Sequence, residues 1–100
     1  MTMISILHFQ HKITLFKELR YTADGDYVTQ IFKKEIGPPF LPPVGMIIYF
    51  KNSNFICDTV TYMIDDKHIT YHQYKDIDNH DSLVYEIKCL EQDGWIFLGD

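Results

Sequence analysis

The histidines of the segment HITYHQYK, residues 68–75, carry side chains that could do chemistry at a regular spacing. His68 and His72 are four positions apart, a spacing that would bring two metal ligands together on a helix. The segment instead alternates like a β-strand, along which four residues span about 13 Å, whereas a zinc–nitrogen bond is only about 2 Å long. The alternation therefore predicts no metal site. It predicts that His68, Thr70, His72 and Tyr74 share one polar face, which is either the solvated side of a sheet or a hydrogen-bonding binding surface.

Asp58 places a carboxylate on the otherwise apolar face of the predicted strand 55–64. In strict alternation it shares a face with Ile56, Val60 and Tyr62. Burial of an unpaired carboxylate is unfavourable and would raise its pKa. Three interpretations stay open: a β-bulge that turns Asp58 to water, a position at the mouth of a barrel, or a buried acid that recognises a ligand.

The acidic loop DIDNHD, residues 76–81, begins like a calcium-binding loop. An EF-hand requires Gly at the sixth position and Glu at the twelfth, and the chain has Asp81 and Ile87 there. The motif therefore fails. A weak cation site through Asp76, Asp78 and Asp81 is left as the alternative to a solvated acidic loop.

Nucleophilic catalysis finds no pattern in the chain. No serine lies in a G-x-S-x-G turn, and Cys57 and Cys89 form no CxxC motif and have no histidine beside them. The two cysteines are expected to be buried free thiols. No glycine-rich phosphate loop is present. We therefore predict a protein that is not an enzyme and that uses no cofactor.

The segment GPPFLPPVG, residues 37–45, contains all four prolines of the chain. Proline fixes φ and donates no hydrogen bond, so this segment is excluded from the centre of a sheet and is predicted to be a stiff crossover. The spacing Pro39 to Pro42 matches PxxP, but ligands of that kind usually carry a basic anchor in a disordered tail. Phe40 and Leu41 either pack inward or form an exposed apolar contact.

Alternation in β-branched and aromatic residues predicts a mainly β fold. Strands are expected at residues 3–9, 12–20, 27–36, 46–50, 55–64 and 68–75. The first two are predicted to form a hairpin, and the last three a meander of antiparallel neighbours. Segment 82–92 fits a helix or a strand, and its Val, Tyr, Ile and Cys residues favour a strand paired with 95–98. The predicted fold is a small antiparallel β-barrel or a two-sheet sandwich, with one short C-terminal helix as the alternative.

The length of 100 residues and a hydrophobic content of 46 % are typical of one domain, residues 1–100, with a buried core. The net charge is −5, which disfavours binding to nucleic acid. Charge is unevenly spread, since residues 1–57 carry six basic against four acidic side chains and residues 58–100 carry three against ten. No signal peptide or membrane-spanning segment is predicted, and a cytoplasmic location is expected.

These observations predict a small β-domain that acts by protein–protein contact, as an accessory or inhibitory factor or by self-association. One alternative is a small-molecule binder with a pocket near Asp58 and the aromatic residues, or between subunits. A second is a hydrolase with an unrecognised site. The candidate binding residues are Phe40 and Leu41 on the crossover, Asp58, and the polar face from His68 to Tyr74.

Overall fold

Most of the described chain forms β-strands, as the sequence predicts. The computed structural model describes residues 12–23, 25–63 and 68–99. In chain order the elements are β1 (Ile13–Ala23), β2 (Asp26–Ile36), β3 (Ile47–Tyr49), β4 (Asn54–Ile56), β5 (Thr59–Met63), β6 (His68–Ile77), α1 (His80–Gln92) and β7 (Ile96–Gly99). The predicted strand 3–9 and its hairpin with 12–20 lie outside the described residues.

Five strands form one mixed sheet in the order β5-β6-β1-β2-β7. Its neighbours are antiparallel except for β1 and β6, which run parallel with Ile13 opposite Ile69. The expectation of a purely antiparallel sheet is therefore wrong at this pair. The reason is topological, because β2, β3, β4 and β5 intervene before the chain returns beside β1 in the same direction.

A second, two-stranded sheet is made by the β3–β4 hairpin. The order of the five-stranded sheet is open, from β5 to β7. The described strands thus form no closed barrel, and one short hairpin is too small to be the second layer of the predicted sandwich. Both the barrel and the sandwich are unconfirmed.

The β1–β2 hairpin is the longest pairing, with eleven residues in each strand. Gly25 in its turn has φ +83°, a conformation that suits glycine because no Cβ atom is present to clash. Ile13, Leu15 and Leu19 are all fully buried on one face of β1. Their spacing is the alternation from which a strand is expected at residues 12–20.

The predicted strand 55–64 is interrupted. Ile56 is the last residue of β4, and the Asp58 amide donates a hydrogen bond to its carbonyl (2.8 Å), which closes a three-residue turn at Cys57. The chain then continues as β5, which pairs with β6. The expected three-stranded meander over residues 46–75 is therefore two separate hairpins.

The segment 82–92 lies within the helix α1, so the preference for a strand is wrong and the helical alternative is correct. The side chain of Asn79 caps the first turn by accepting a hydrogen bond from the Ser82 amide (2.8 Å). Gly94 follows the helix with φ +84°, a common helix ending. Burial of Leu83 and Leu90 outweighs the modest helix propensity of the segment. Among the described residues, no helix has the length and hydropathy needed to cross a membrane.

The hydrophobic core lies between one face of the five-stranded sheet and a covering layer made of α1, the β3–β4 hairpin and the crossover. Its buried members are Ile13, Leu15, Leu19, Phe32, Phe55, Cys57, Ile69, Tyr71, Ile77, Leu83, Leu90 and Trp95. We call this side of the sheet the covered face.

Candidate functional site

The predicted polar face of residues 68–75 exists on β6, on the side of the sheet opposite the covered face. Ile69, Tyr71 and Gln73 are buried, whereas the residues between them are more exposed. His68 Nε2 and Thr14 Oγ1 share a hydrogen bond of 2.8 Å. The alternation predicted from the sequence is therefore correct.

Neighbouring side chains from β1 stack against this polar face. Phe16 stacks on His72, with ring centroids 5.0 Å apart. The guanidinium of Arg20 lies 4.2 Å from the ring centroid of Tyr74 and its Nε donates to Glu18 (2.7 Å). These side chains are therefore engaged with one another, Phe16 with His72 and Arg20 with both Tyr74 and Glu18.

Phe40 and Leu41 project from the crossover into solvent. Phe40 is 50 % exposed and Leu41 is 45 % exposed. The next residue, Pro42, is buried, and its carbonyl accepts a hydrogen bond from the hydroxyl of Tyr71 on β6 (2.6 Å). The crossover is thus anchored on the covered face at Pro42, while its Phe-Leu tip stays outside.

The same anchoring brings the crossover beside β5. Tyr71 is the register partner of Val60, and the Gly45 amide donates to the Cys57 carbonyl (2.8 Å) just before β5 begins. Val60 and Tyr62 therefore lie on the covered face next to the crossover. Five exposed apolar residues belong to the crossover and to this face of β5, and we call them together the apolar corner: Phe40, Leu41, Val44, Val60 and Tyr62.

A tight turn sets the position of Val44 in the apolar corner. The Met46 amide donates to the Pro43 carbonyl (3.1 Å), and Gly45 has φ +93°, as a type II turn requires at that place. Asp58 stands exposed between β4 and β5 near this turn. It is therefore no buried acid, and it directly precedes β5.

The strand β5 is an edge of the five-stranded sheet. Among the described residues it pairs only with β6, and all five of its residues are exposed. Its sequence TVTYM has no charge and no proline, the devices that usually protect an edge strand from pairing with another chain. This edge can accept an additional strand.

The opposite edge, β7, also lacks charge and proline and exposes Ile96, Phe97 and Leu98, but it carries an irregularity. Its register with β2 shifts between Ile31 and Phe32, an irregularity of the kind that blunts sheet edges. Phe97 also packs on Phe32, with ring centroids 5.3 Å apart. The edge at β5 has no comparable feature in the ranges that the structure describes.

A buried polar cluster lies under α1. Lys17 is fully buried, and its Nζ donates to the Asn54 carbonyl (2.6 Å) and lies 3.8 Å from Glu86 Oε2. Lys75 also pairs with Glu86. Burial lowers the pKa of Lys17 below 10.5, an effect that the Glu86 carboxylate opposes.

Lys17 has a structural role. A buried lysine with a lowered pKa can serve as a nucleophile, but this ammonium is enclosed by the groups that it binds. It joins the sheet to the β3–β4 hairpin. The sequence carries a signal for the burial of this side chain, since Lys17 has the same parity as the buried residues Ile13, Leu15 and Leu19.

An open cleft of about 530 Å³ lies at the beginning of α1. It is lined by residues 75–79, Asp81, Ser82, Tyr85 and Glu86. The acidic loop therefore borders a depression, but no three His, Cys, Asp or Glu side chains in the described ranges are grouped to hold a metal ion. The proposed cation site gains no support from this geometry. Asp58 is not part of the cleft, so the small-molecule pocket expected near it is not this one.

The cysteines are buried and free. Burial raises the pKa of the Cys57 thiol, and the nearby Asp58 carboxylate raises it further. Since the thiolate is the reactive form, Cys57 is not activated as a nucleophile. This agrees with the expectation of buried free thiols.

Comparison of the chain with protein-family models, with curated proteins and with solved structures gives no match. The geometry of the chain is therefore the basis of any functional proposal. Of the predicted binding residues, the structure leaves Phe40, Leu41 and Asp58 exposed, and it places the His68–Tyr74 face on the side of the sheet opposite the covered face. Val44, Val60 and Tyr62 are candidate site residues that the sequence did not predict.

Proposed function

We propose that this protein binds another protein through the apolar corner and the adjoining edge of β5. In this role it is an accessory or inhibitory factor without catalytic activity of its own. The observation that carries the proposal is the exposure of apolar side chains both on the crossover and on β5, an edge strand without charge. Clustered exposed apolar side chains are typical of protein-binding surfaces.

The mode of binding follows from the two parts of the site. The β5 edge offers backbone donors and acceptors to an extended strand, and the apolar corner offers side-chain contact on the covered face. Phe40 and Tyr62 belong to the residue types that supply most binding energy in interfaces or are enriched there. Asp58, which is exposed directly before β5, favours a partner with a basic residue at that end of the strand.

The remaining features of the proposal come from the sequence and the cysteines. We place the contact in the cytoplasm, where thiols stay reduced, because Cys57 and Cys89 are buried and free. The acidic net charge of −5 supports a protein partner over nucleic acid. No cofactor and no membrane surface enter the proposed contact.

Alanine substitutions in the apolar corner test the proposal. Phe40→Ala and Leu41→Ala are expected to reduce capture of the partner by the tagged protein in the cells that produce it, by about tenfold or more, since truncating a buried anchor removes about 2 kcal/mol of binding energy. Val84→Ala is the matched control, because Val84 on α1 is 51 % exposed, against 50 % for Phe40. The thermal midpoints of all three variants should stay close to that of the wild type. Equal capture by Phe40→Ala and Val84→Ala would contradict the proposal.

A further inference from the structure

The edge strand β5 is complementary to a second copy of itself. We infer that the partner at this site is another molecule of the same chain, paired antiparallel through β5 about a twofold axis at Thr61. The inference rests on the proposed function, since it names the occupant of the same surface. Pairing of this kind joins the five-stranded sheets of the two copies into one continuous sheet of ten strands.

The register about Thr61 produces favourable pairs at each position. Val60 lies opposite the partner's Tyr62, a β-branched residue against an aromatic one, and this pair repeats by symmetry. Thr61 lies opposite the partner's Thr61, and Thr59 lies opposite the partner's Met63. No charged side chain occurs in β5 to oppose this pairing.

The faces of the two copies also match in this register. Val60 and Tyr62 are register partners of Tyr71 and Ile69, which are buried on the covered face. Directly opposite residues in a ladder project to the same side of a sheet. Val60 and Tyr62 of both copies therefore meet on the same side of the extended sheet and shield one another from water.

The size of the contact predicts a weak dimer. Stable complexes bury about 800 Å² per partner, and five strand residues with a few half-exposed side chains provide less than that. We expect a monomer at about 1 µM and mostly dimer by about 1 mM in sedimentation experiments, as is typical of interfaces below the standard size. A protein that remains monomeric at about 1 mM would overturn the inference.

Cysteine cross-linking tests the register. In the twofold arrangement the two Thr61 Cα atoms lie about 4.5–5.5 Å apart, within the range that a disulfide bridges. The two Thr59 Cα atoms lie about 13 Å apart, because four residues separate Thr59 from the position opposite its own copy. Two thiols lose two electrons and two protons to the added oxidant when the bond forms.

Under mild oxidation, Thr61→Cys is expected to form a covalent dimer at least about ten times faster than Thr59→Cys, which lacks the reach. A mixture of Thr59→Cys and Met63→Cys should cross-link between the two variants, since these positions lie opposite each other. Wild-type protein, with its buried cysteines, is the control. Equal rates for Thr61→Cys and Thr59→Cys, or no dimer at all, would overturn the inference.

The two proposals fail in different ways. If Thr61→Cys does not cross-link but Phe40→Ala still loses a different captured protein, the inference of self-pairing is wrong and the proposed function stands. If Thr61→Cys cross-links and Phe40→Ala keeps all captured protein, β5 pairs with its copy and the apolar corner is not the binding surface.

Discussion

Lys17 shows how a single side chain ties the layers of this protein together. Its ammonium group lies on the buried face of β1, donates to the Asn54 carbonyl and is neutralised by Glu86 from α1. Three elements thus meet at one buried charge. Such a charge is tolerated in a protein interior only with a counter-charge and hydrogen bonds around it.

Removal of the counter-charge is therefore expected to destabilise the fold. Glu86→Gln should lower the free energy of unfolding by about 2–3 kcal/mol, because Lys17 is then left buried without a neutralising partner. The control is Glu91→Gln, an exposed position on the same helix, which should change it by no more than about 0.5 kcal/mol. Urea unfolding at neutral pH measures both, and similar small changes in the two variants would refute the assigned role of Glu86.

At the scale of the elements, Asp93 fastens the β3–β4 hairpin to the end of α1. Its carboxylate accepts hydrogen bonds from the Asn52 amide (3.0 Å to Oδ2), the Asn52 side chain (3.0 Å) and the Ser53 hydroxyl. Partial desolvation raises the pKa of Asp93, but these hydrogen bonds and the nearby Lys34 outweigh it, so the net pKa lies below 3.8.

The lowered pKa of Asp93 predicts how its contribution to the stability of the fold changes with pH. The Asp93 carboxylate stabilises the folded state at pH values above 3.8, its ordinary pKa, and that stabilisation is lost as the pH falls through its lower folded-state value. Asp93→Ala should therefore lower the urea midpoint at pH 6, and its difference from the wild type should shrink progressively below pH 3.8. Asp78→Ala, in an exposed loop, should match the wild type throughout. A difference for Asp93→Ala that stays constant down to the most acidic pH would argue against the role of the charge.

Some elements of the fold could be predicted from the sequence, and others could not. Alternation identified β1, β2 and β6 and their buried faces, because the side-chain period of a strand is local information. It favoured a strand over the helix α1, which was the alternative, since the helix is stabilised by burial of Leu83 and Leu90 in a core that no local propensity describes. It also joined β4 to β5, because the turn at Cys57 contains no glycine or proline to mark it.

The candidate site was only half predictable for the same reason. The prolines predicted the crossover, but the sequence left open whether Phe40 and Leu41 are buried or exposed. Val60 and Tyr62 read as core residues in the alternating pattern. Their exposure follows from the position of β5 at the edge of the sheet, which depends on the parallel pairing of β1 with β6, a contact between distant parts of the chain.

At the scale of the whole molecule, one face of the sheet is covered, and no strand within residues 12–23, 25–63 and 68–99 pairs with the outer side of β5. The covering layer ends at the crossover, and the apolar corner lies where that layer meets the edge strand. Binding of an extended partner would continue the sheet and cover the corner in the same step. The central claim is thus that the apolar corner is a protein-binding surface.

Site-specific photo-cross-linking in the cells that produce the protein tests this claim most directly. A photoreactive phenylalanine derivative is placed at position 40, in the apolar corner, or at position 84, on the solvent side of α1, two positions of nearly equal exposure. Illumination is predicted to give a defined covalent protein product from position 40 and none from position 84. Products of equal yield at both positions, or none at position 40, would contradict the claim.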